Sequence, residues 1–313
     1  RLVIEFLAVL SFSVVIILLT LQGTSLISLL PVLALYFACM YKLLPSFQKI
    51  LFLMNRLRFS YHTAKQLLIL VREIFDNDEI KNNKGLRMDF TNEIEIKNLS
   101  FKYPENEKKI LSNVNLKIPK NSFIGICGES GAGKSTLIDL ILGLQKPSSG
   151  SIQVDNIEIS ENLRNWQNTI GYVPQNIFLI SDTIKKNIAL GLDENEIDNG
   201  LLDQAIEKSN LKEFVETLPK KENTAVGEHG SLISWGQRQR IGIARALYNK
   251  PNVLIFDEAT SSLDPKTEGE ILKEIQLLKK NLTLIFISHK EQSLKDCDKI
   301  FSINNGIVLD MIK

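Results

Sequence analysis

The sequence predicts an α/β domain with a largely parallel core sheet, preceded by an all-α transmembrane helical hairpin. Three observations predict it. Glu5 and Lys42 are the only charged residues between Leu2 and Leu44, whereas both signs are interspersed from Arg72 onward. Short apolar runs alternate with helical patterns beyond residue 92. A glycine-rich stretch joins one such run to the helix that follows it.

The first element is the apolar run Leu2 to Leu21, which at ~1.5 Å per residue matches a hydrocarbon core of ~30 Å. A signal peptide would have a shorter apolar core and a small-residue cleavage site; here a second apolar run, Ser25 to Leu44, follows almost at once. The two form a hairpin turning at Gln22-Gly23-Thr24. That turn holds no Lys or Arg, while Lys42, Lys49, Arg56, Arg58, Lys65 and Arg72 follow the second run, so the turn is expected outside and the basic side in the cytoplasm. This places the chain in the cytoplasmic (inner) membrane as a multi-pass protein. Beyond Pro45, Ile50, Leu51, Leu53, Met54, Leu57, Leu67, Leu68 and Val71 recur at helical spacing, so the second helix continues into the cytosol with a kink expected at Pro45. Glu5, near the start of the first run, and Pro31, a tolerated membrane-helix proline, are assigned to no site.

Residues 1–75 thus form the C-terminal part of a transmembrane domain, 76–91 a polar linker, and 92–313 a soluble domain. Within the last, Ser122 to Cys127, Thr169 to Val173, Val253 to Phe256 and Leu282 to Ile287 read as buried strands, with helices such as Lys134 to Leu142 and Gly236 to Tyr248 between them. A net charge of +1 and no Lys/Arg run exclude a nucleic-acid partner. Cys39, Cys127 and Cys297 are too widely spaced for a zinc site and odd in number for a disulfide framework. The chain opens on Arg1 rather than Met, which reads as a piece of a longer protein.

The chemistry begins at Gly128-Glu129-Ser130-Gly131-Ala132-Gly133-Lys134-Ser135-Thr136, which satisfies G-x-x-x-x-G-K-[ST] after a strand and at the opening of a helix. Gly128, Gly131 and Gly133 let backbone N–H groups wrap phosphates, with Ser130 and Thr136 beside them, and the helix N-terminus adds a favourable partial charge. Lys134 is expected to reach the β- and γ-phosphates of ATP, and the Ser135 hydroxyl to ligate Mg²⁺. Val253-Leu254-Ile255-Phe256-Asp257-Glu258 is a buried strand ending in two carboxylates, one for Mg²⁺ and the next for an attacking water. Together the two motifs specify an α/β P-loop NTPase.

Five further segments make the soluble domain resemble the ATP-binding-cassette (ABC) ATPases, in motif identity and in order. Ser234-Trp235-Gly236-Gln237-Arg238-Gln239-Arg240 resembles the family signature, Gln175 in Gly171-Tyr172-Val173-Pro174-Gln175 the Q-loop, and Ser261-Ser262-Leu263-Asp264 the D-loop. His289 is similar to the switch histidine, and Tyr103 to the aromatic that stacks on adenine. The resemblance implies that Ser234, Gly236, Gln237 and Asp264 contact nucleotide across a dimer, as homodimer or heterodimer, that Glu258, His289 and Gln175 act in hydrolysis, and that Ser135, Gln175 and Asp257 hold Mg²⁺. Thr224-Ala225-Val226-Gly227-Glu228-His229-Gly230 resembles the exporter segment that meets the coupling helices, and a hairpin fused ahead of one cassette resembles an exporter-type half-transporter. The whole is also similar to bacterial lipid-linked oligosaccharide flippases, through Gly171 to Ile188 and Leu44-Pro45-Ser46.

One position departs from the pattern: the signature has two glycines after its serine, and the first is Trp235 here. If the ring points away from the phosphate the site works; if it intrudes, the site binds ATP without turning it over. Two functions are therefore carried forward: an ATP-hydrolysing exporter or flippase in the lipid bilayer, with a lipid-linked oligosaccharide, peptide, lipid or drug as cargo, and a catalytically impaired subunit whose ATP gates a partner. A DNA-repair or translation ATPase would need a coiled-coil insertion or a tandem cassette, and the sequence carries neither.

Overall fold

The structure, a computed structural model, describes residues 2–21, 26–75, 86–104, 108–261 and 263–311, with backbone alone for residues 2–5, 7, 8, 19, 26–29, 73–75 and 291. The turn read at residues 22–24, the Glu5 side chain, linker residues 76–85 and Ser262 lie outside the described residues. The chain divides into two units, Arg1–Asp78 and Glu79–Lys313.

The first unit is two helices, α1 (Leu2–Leu21) and α2 (Leu26–Phe75). The Ser13 hydroxyl donates to the Val9 carbonyl and that of Thr20 to the Ile16 carbonyl, each within its own helix, while the Ser11 and Tyr36 hydroxyls bond each other across α1 and α2. The Phe12 ring packs on Tyr36 and Phe37 with centroids 5.3 and 5.1 Å apart, which joins α1 to α2. α2 is one helix of 50 residues that runs through Pro31 and Pro45. Each proline removes one backbone bond without ending the helix. Where the sequence suggests two spans, the described residues contain one stretch long and apolar enough to cross a membrane, Leu30–Arg72, and a shorter apolar helical stretch, Val9–Leu18.

The second unit holds two sheets. Strands β1 (Glu93–Phe101), β2 (Leu111–Pro119), β4 (Ser149–Val154) and β5 (Ile157–Glu158) form an antiparallel sheet in the order β2-β1-β4-β5. The larger sheet contains β3 (Phe123–Gly128), β6 (Ile170–Val173), β7 (Val253–Asp257), β8 (Thr283–Ile287), β9 (Lys299–Asn304) and β10 (Ile307–Met311), in the order β10-β9-β3-β8-β7-β6. Only the edge hairpin β9–β10 is antiparallel within it. Central strands covered on both faces require continuous apolar residues, and every residue of Thr283-Leu284-Ile285-Phe286-Ile287 is buried. Around these sheets lie α3 (Lys134–Ile141), α4 (Leu163–Gln167), α5 (Ile184–Ile188), α6 (Asn199–Lys208), α7 (Lys212–Thr217), α8 (Trp235–Tyr248) and α9 (Pro265–Leu278). Trp166 of α4 is fully buried, its indole N–H donating to the Ile141 carbonyl at 2.7 Å and so fixing the end of α3.

This strand order places the site. β3, β8, β7 and β6 are parallel neighbours, so the loops leaving their C-terminal ends emerge side by side. Those loops carry Lys134, His289, Glu258 and Gln175.

Candidate functional site

The loop between β3 and α3 depends on three glycines with positive φ: Gly128 at +151°, Gly131 at +79° and Gly133 at +106°. A Cβ on Gly128 would lie 2.5 Å from the Ile303 carbonyl oxygen, so any side chain there would push the loop off β9. Gly133 is the N-cap of α3 in the left-handed conformation, and no side chain caps the first-turn amides, which remain for an anion. Ser130, Gly131 and Ser135 are exposed, Thr136 and Lys134 buried. Tyr103 lies alongside, its hydroxyl 3.5 Å from Thr136 Oγ1 and its ring edge-on to Phe101 at 4.9 Å.

Lys134 is held from two sides. Its Nζ donates to the carbonyls of Gly128 and Glu129, both at 3.0 Å, and lies 3.6 Å from Glu258 Oε1. Glu258 is also within reach of two other expected site residues: Gln175 Nε2 donates to its Oε2 at 3.0 Å, and His289 Nδ1 is 3.7 Å from the same oxygen. Three sequence-predicted residues therefore converge on the carboxylate of a fourth. Its backbone is strained, with φ +49° at a non-glycine residue, and is anchored by donation from the Glu258 N–H to the Ile287 carbonyl at 3.1 Å.

Asp257 ends β7 next to that carboxylate. Burial pushes its carboxyl above the usual range, a hydrogen bond from Tyr172 pulls it down, and the neighbouring Glu258 pushes it up again. The Tyr172 hydroxyl donates to Asp257 Oδ2 at 3.2 Å, and burial followed by the Asp257 charge pushes that phenol well above its ordinary value. Asp139 of α3 lies close enough to bias both groups, and burial raises it too. Sequence reasoning passed over Tyr172 and Asp139. Tyr172 sits in the Gly171 to Gln175 segment, but its pairing with Asp257 follows from β6 lying beside β7, which no local signal in the sequence shows. A Mg²⁺ ion takes one or two protein oxygens and fills its shell with phosphates and water. The Asp257 carboxylate, the exposed Ser135 hydroxyl and the Gln175 amide oxygen, uncommitted because that residue bonds through Nε2, fit that chemistry.

The other expected residues lie apart. Ser234 is the N-cap of α8, its hydroxyl accepting from the Gln237 N–H at 3.3 Å while Gln237 Oε1 accepts from the Ser234 N–H at 3.1 Å. Asp264 is the N-cap of α9 and accepts from the Lys266 and Thr267 amides at 3.1 Å. Bonds from Thr267 and then Lys266 hold its carboxyl below the usual range. A Cβ on Gly236 would meet Thr267 Cγ2 at 3.1 Å, so the starts of α8 and α9 are packed together. The Trp235 ring stacks on the Arg238 guanidinium at 5.0 Å, along its own helix. Arg238 also donates to the Gly230 carbonyl at 3.1 Å, which ties α8 to the segment 224–230. That segment bridges Thr183 through Ala225, and His229 meets the Phe178 ring at 5.6 Å. Among the described residues no hydrogen bond or ion pair links Ser234, Gly236, Gln237 or Asp264 to Lys134, Glu258, Gln175 or His289.

Residues 111–261 match the profile of the family described as ABC transporter. An export ATP-binding/permease protein of Rickettsia typhi is 39% identical over 252 residues, 79% of this chain and 43% of that protein. An ABC multidrug transporter of Trichophyton rubrum is 36% identical over 79% of this chain and 20% of its own length. The chain therefore spans less than half the length of these relatives. Among solved structures, a bacterial Atm1-family ABC exporter with ATP bound superposes with a TM-score of 0.67 and 31% identity, over 79% of this chain and 44% of that one.

Proposed function

We propose a function from one premise, that the chain belongs to the ABC transporter family as an exporter-type half-transporter: it binds and hydrolyses ATP to move a substrate across a membrane. The observation that carries the reading is the convergence of Lys134, Gln175 and His289 on Glu258 beside an open phosphate loop.

In this reading the Gly128–Thr136 loop and the α3 N-terminus receive the triphosphate. Lys134 exchanges its loop carbonyls for β- and γ-phosphate oxygens, and Tyr103 stacks on the base. Glu258 orients and polarises the attacking water, and Gln175 and His289 hold its carboxylate in place until nucleotide arrives. Ser135, Asp257 and Gln175 would hold Mg²⁺, which supplies charge neutralisation between the β- and γ-phosphates when bound. Ser234, Gly236, Gln237 and Asp264 face outward to the nucleotide of a second cassette, so each site is completed by a partner, as homodimer or heterodimer. Closure of the pair drives the membrane helices, with the segment 224–230 as the contact surface.

For cargo, the likeness to lipid-linked oligosaccharide flippases favours a glycolipid, while relatives named for multidrug export favour an apolar drug. The ring position of Trp235 supports a working ATPase over the gating subunit, because the side chain is engaged along its own helix. The test is steady-state phosphate release by the full-length protein in vesicles, with fluorescent glycolipid, drug and peptide compared as cargo. Turnover abolished by Glu258→Gln supports the reading, and a parent that binds Mg-ATP without turnover replaces it with the gate.

A further inference from the structure

The loops after β7 and β8 end on a single buried carboxylate that no motif includes. Glu268, in the first turn of α9, is 8% exposed. The Thr260 hydroxyl donates to its Oε1 at 3.1 Å, the Ser293 hydroxyl to the same oxygen at 2.9 Å, and Lys290 Nζ to Oε2 at 2.8 Å. Thr260 is two residues beyond Glu258, and the turn between them is closed by the Ser261 N–H on the Glu258 carbonyl at 3.0 Å. Lys290 directly follows His289, and the Ser293 N–H donates to the Lys290 carbonyl at 3.1 Å. Burial works against the ionised form of Glu268, but donation from Lys290, Ser293 and Thr260 outweighs it and holds the carboxyl below its usual range.

A buried carboxylate needs partners wherever it sits. What distinguishes Glu268 is where its partners come from: two loops, each carrying one member of the Glu258–His289 pair, which approach each other to 3.7 Å. α9 also begins at Asp264, so the same carboxylate fixes the helix start that presents this residue.

Resting on the ATPase reading above, we infer that Glu268 is a positioning residue: it fastens the Glu258 loop to the His289 loop so that both groups meet the γ-phosphate together. Its side-chain bonds go to Thr260, Ser293 and Lys290, so its effect on the reaction passes through the two loops. Its loss should therefore lower kcat and leave Mg-ATP affinity in place, since among the described residues no bond links the phosphate loop to Glu268, Thr260, Lys290 or Ser293.

The experiment measures phosphate release and binding of a trinitrophenyl-labelled ATP by the full-length protein, for the parent, Glu268→Ala, Glu268→Gln, Lys290→Met and the Gln/Met double variant. Glu268→Ala is expected to lower kcat about tenfold with nucleotide affinity within about twofold of the parent. Glu268→Gln keeps an acceptor for both hydroxyls and should lose less. The double variant should be no slower than the worse of its two single variants, because both remove the same ion pair. Parental kcat in Glu268→Ala, a parallel fall of kcat and affinity, or additive losses in the double variant would overturn the inference. If Glu268→Ala does not fold, Lys290→Met decides, with the same kcat–affinity split expected and parental kcat as the overturning result. Glu258→Gln runs beside these: a parent without turnover refutes the ATPase reading, whereas parental kcat at Glu268→Ala in an active parent refutes the positioning role alone.

Discussion

The two groups of residues proposed to meet nucleotide are built in opposite ways. Around Glu258, side chains from the loops after four adjacent parallel strands hold one another: Lys134, Gln175 and His289 each lie within 3.7 Å of its carboxylate. Around Ser234 and Asp264, the side chains bond only to the starts of their own helices. The first group has the build of a receiver, with charges balanced against each other across one carboxylate. The second is organised as a presenter, with helix starts made rigid by reciprocal capping and left facing outward. Among the described residues no hydrogen bond or ion pair joins the two groups, as the proposed composite site requires.

Breaking the receiver gives the largest effects. Glu258→Gln should reduce phosphate release about 10²- to 10⁴-fold while Mg-ATP still binds, as single-turnover and equilibrium binding assays would read. Lys134→Ala should weaken Mg-ATP about a hundredfold by calorimetry, through lost charge-assisted bonds to phosphate. The presenter is tested by mixing. Ser234→Ala and Lys134→Ala chains are each expected to be inactive alone. Coexpressed as a homodimer they should recover roughly a quarter of parental turnover, because half of the dimers carry both chains and each of these has one of its two sites intact. No recovery would mean that the chain pairs with a different partner or that its sites are not shared.

Trp235→Ala sharpens the contrast at a smaller scale. With the ring stacked on Arg238, its removal should change turnover by less than about threefold, with a stability loss of about 0.5–1 kcal/mol read by thermal unfolding. The smallest effect concerns pH. Because Glu268 has a depressed pKa when folded, its contribution is fully present above the ordinary Glu value of about 4.3 and is lost as pH falls through the folded value. The gap in unfolding temperature between the parent and Glu268→Gln should therefore be wide at pH 7 and narrow only once pH has fallen below the ordinary Glu value of about 4.3, closing as it passes through the depressed folded value.

How much of this was legible in the sequence depended on how local each signal is. β3, the phosphate loop and α3 are consecutive, and β7 and β8 are buried on both faces, so apolar runs ending in functional residues exposed them. The antiparallel sheet was not read. β2 alternates cleanly, but β1 shifts register around Asn98, whose φ of +47° breaks the two-residue period where it would have been counted. Tyr172 and Asp257 are 85 residues apart, and their bond exists only because β6 lies beside β7. Trp235 was left open in the sequence, although Arg238 three residues on is its neighbour on a helix face. The two-span reading joined the runs Leu2 to Leu21 and Ser25 to Leu44 through a turn at residues 22–24, and residues 22–25 lie outside the described part.

α2 has a mechanical consequence of its own. Fifty residues at ~1.5 Å each make a rod of about 75 Å, of which a bilayer core of ~30 Å encloses less than half. In the proposed transporter the remaining ~45 Å would be a lever arm, so a tilt of about 10° at the membrane would swing its far end by roughly 8 Å. Pro45 leaves the Tyr41 carbonyl without its helical donor, which puts the one-bond weakness near the fulcrum, where bending changes the direction of the arm and shortens its reach least.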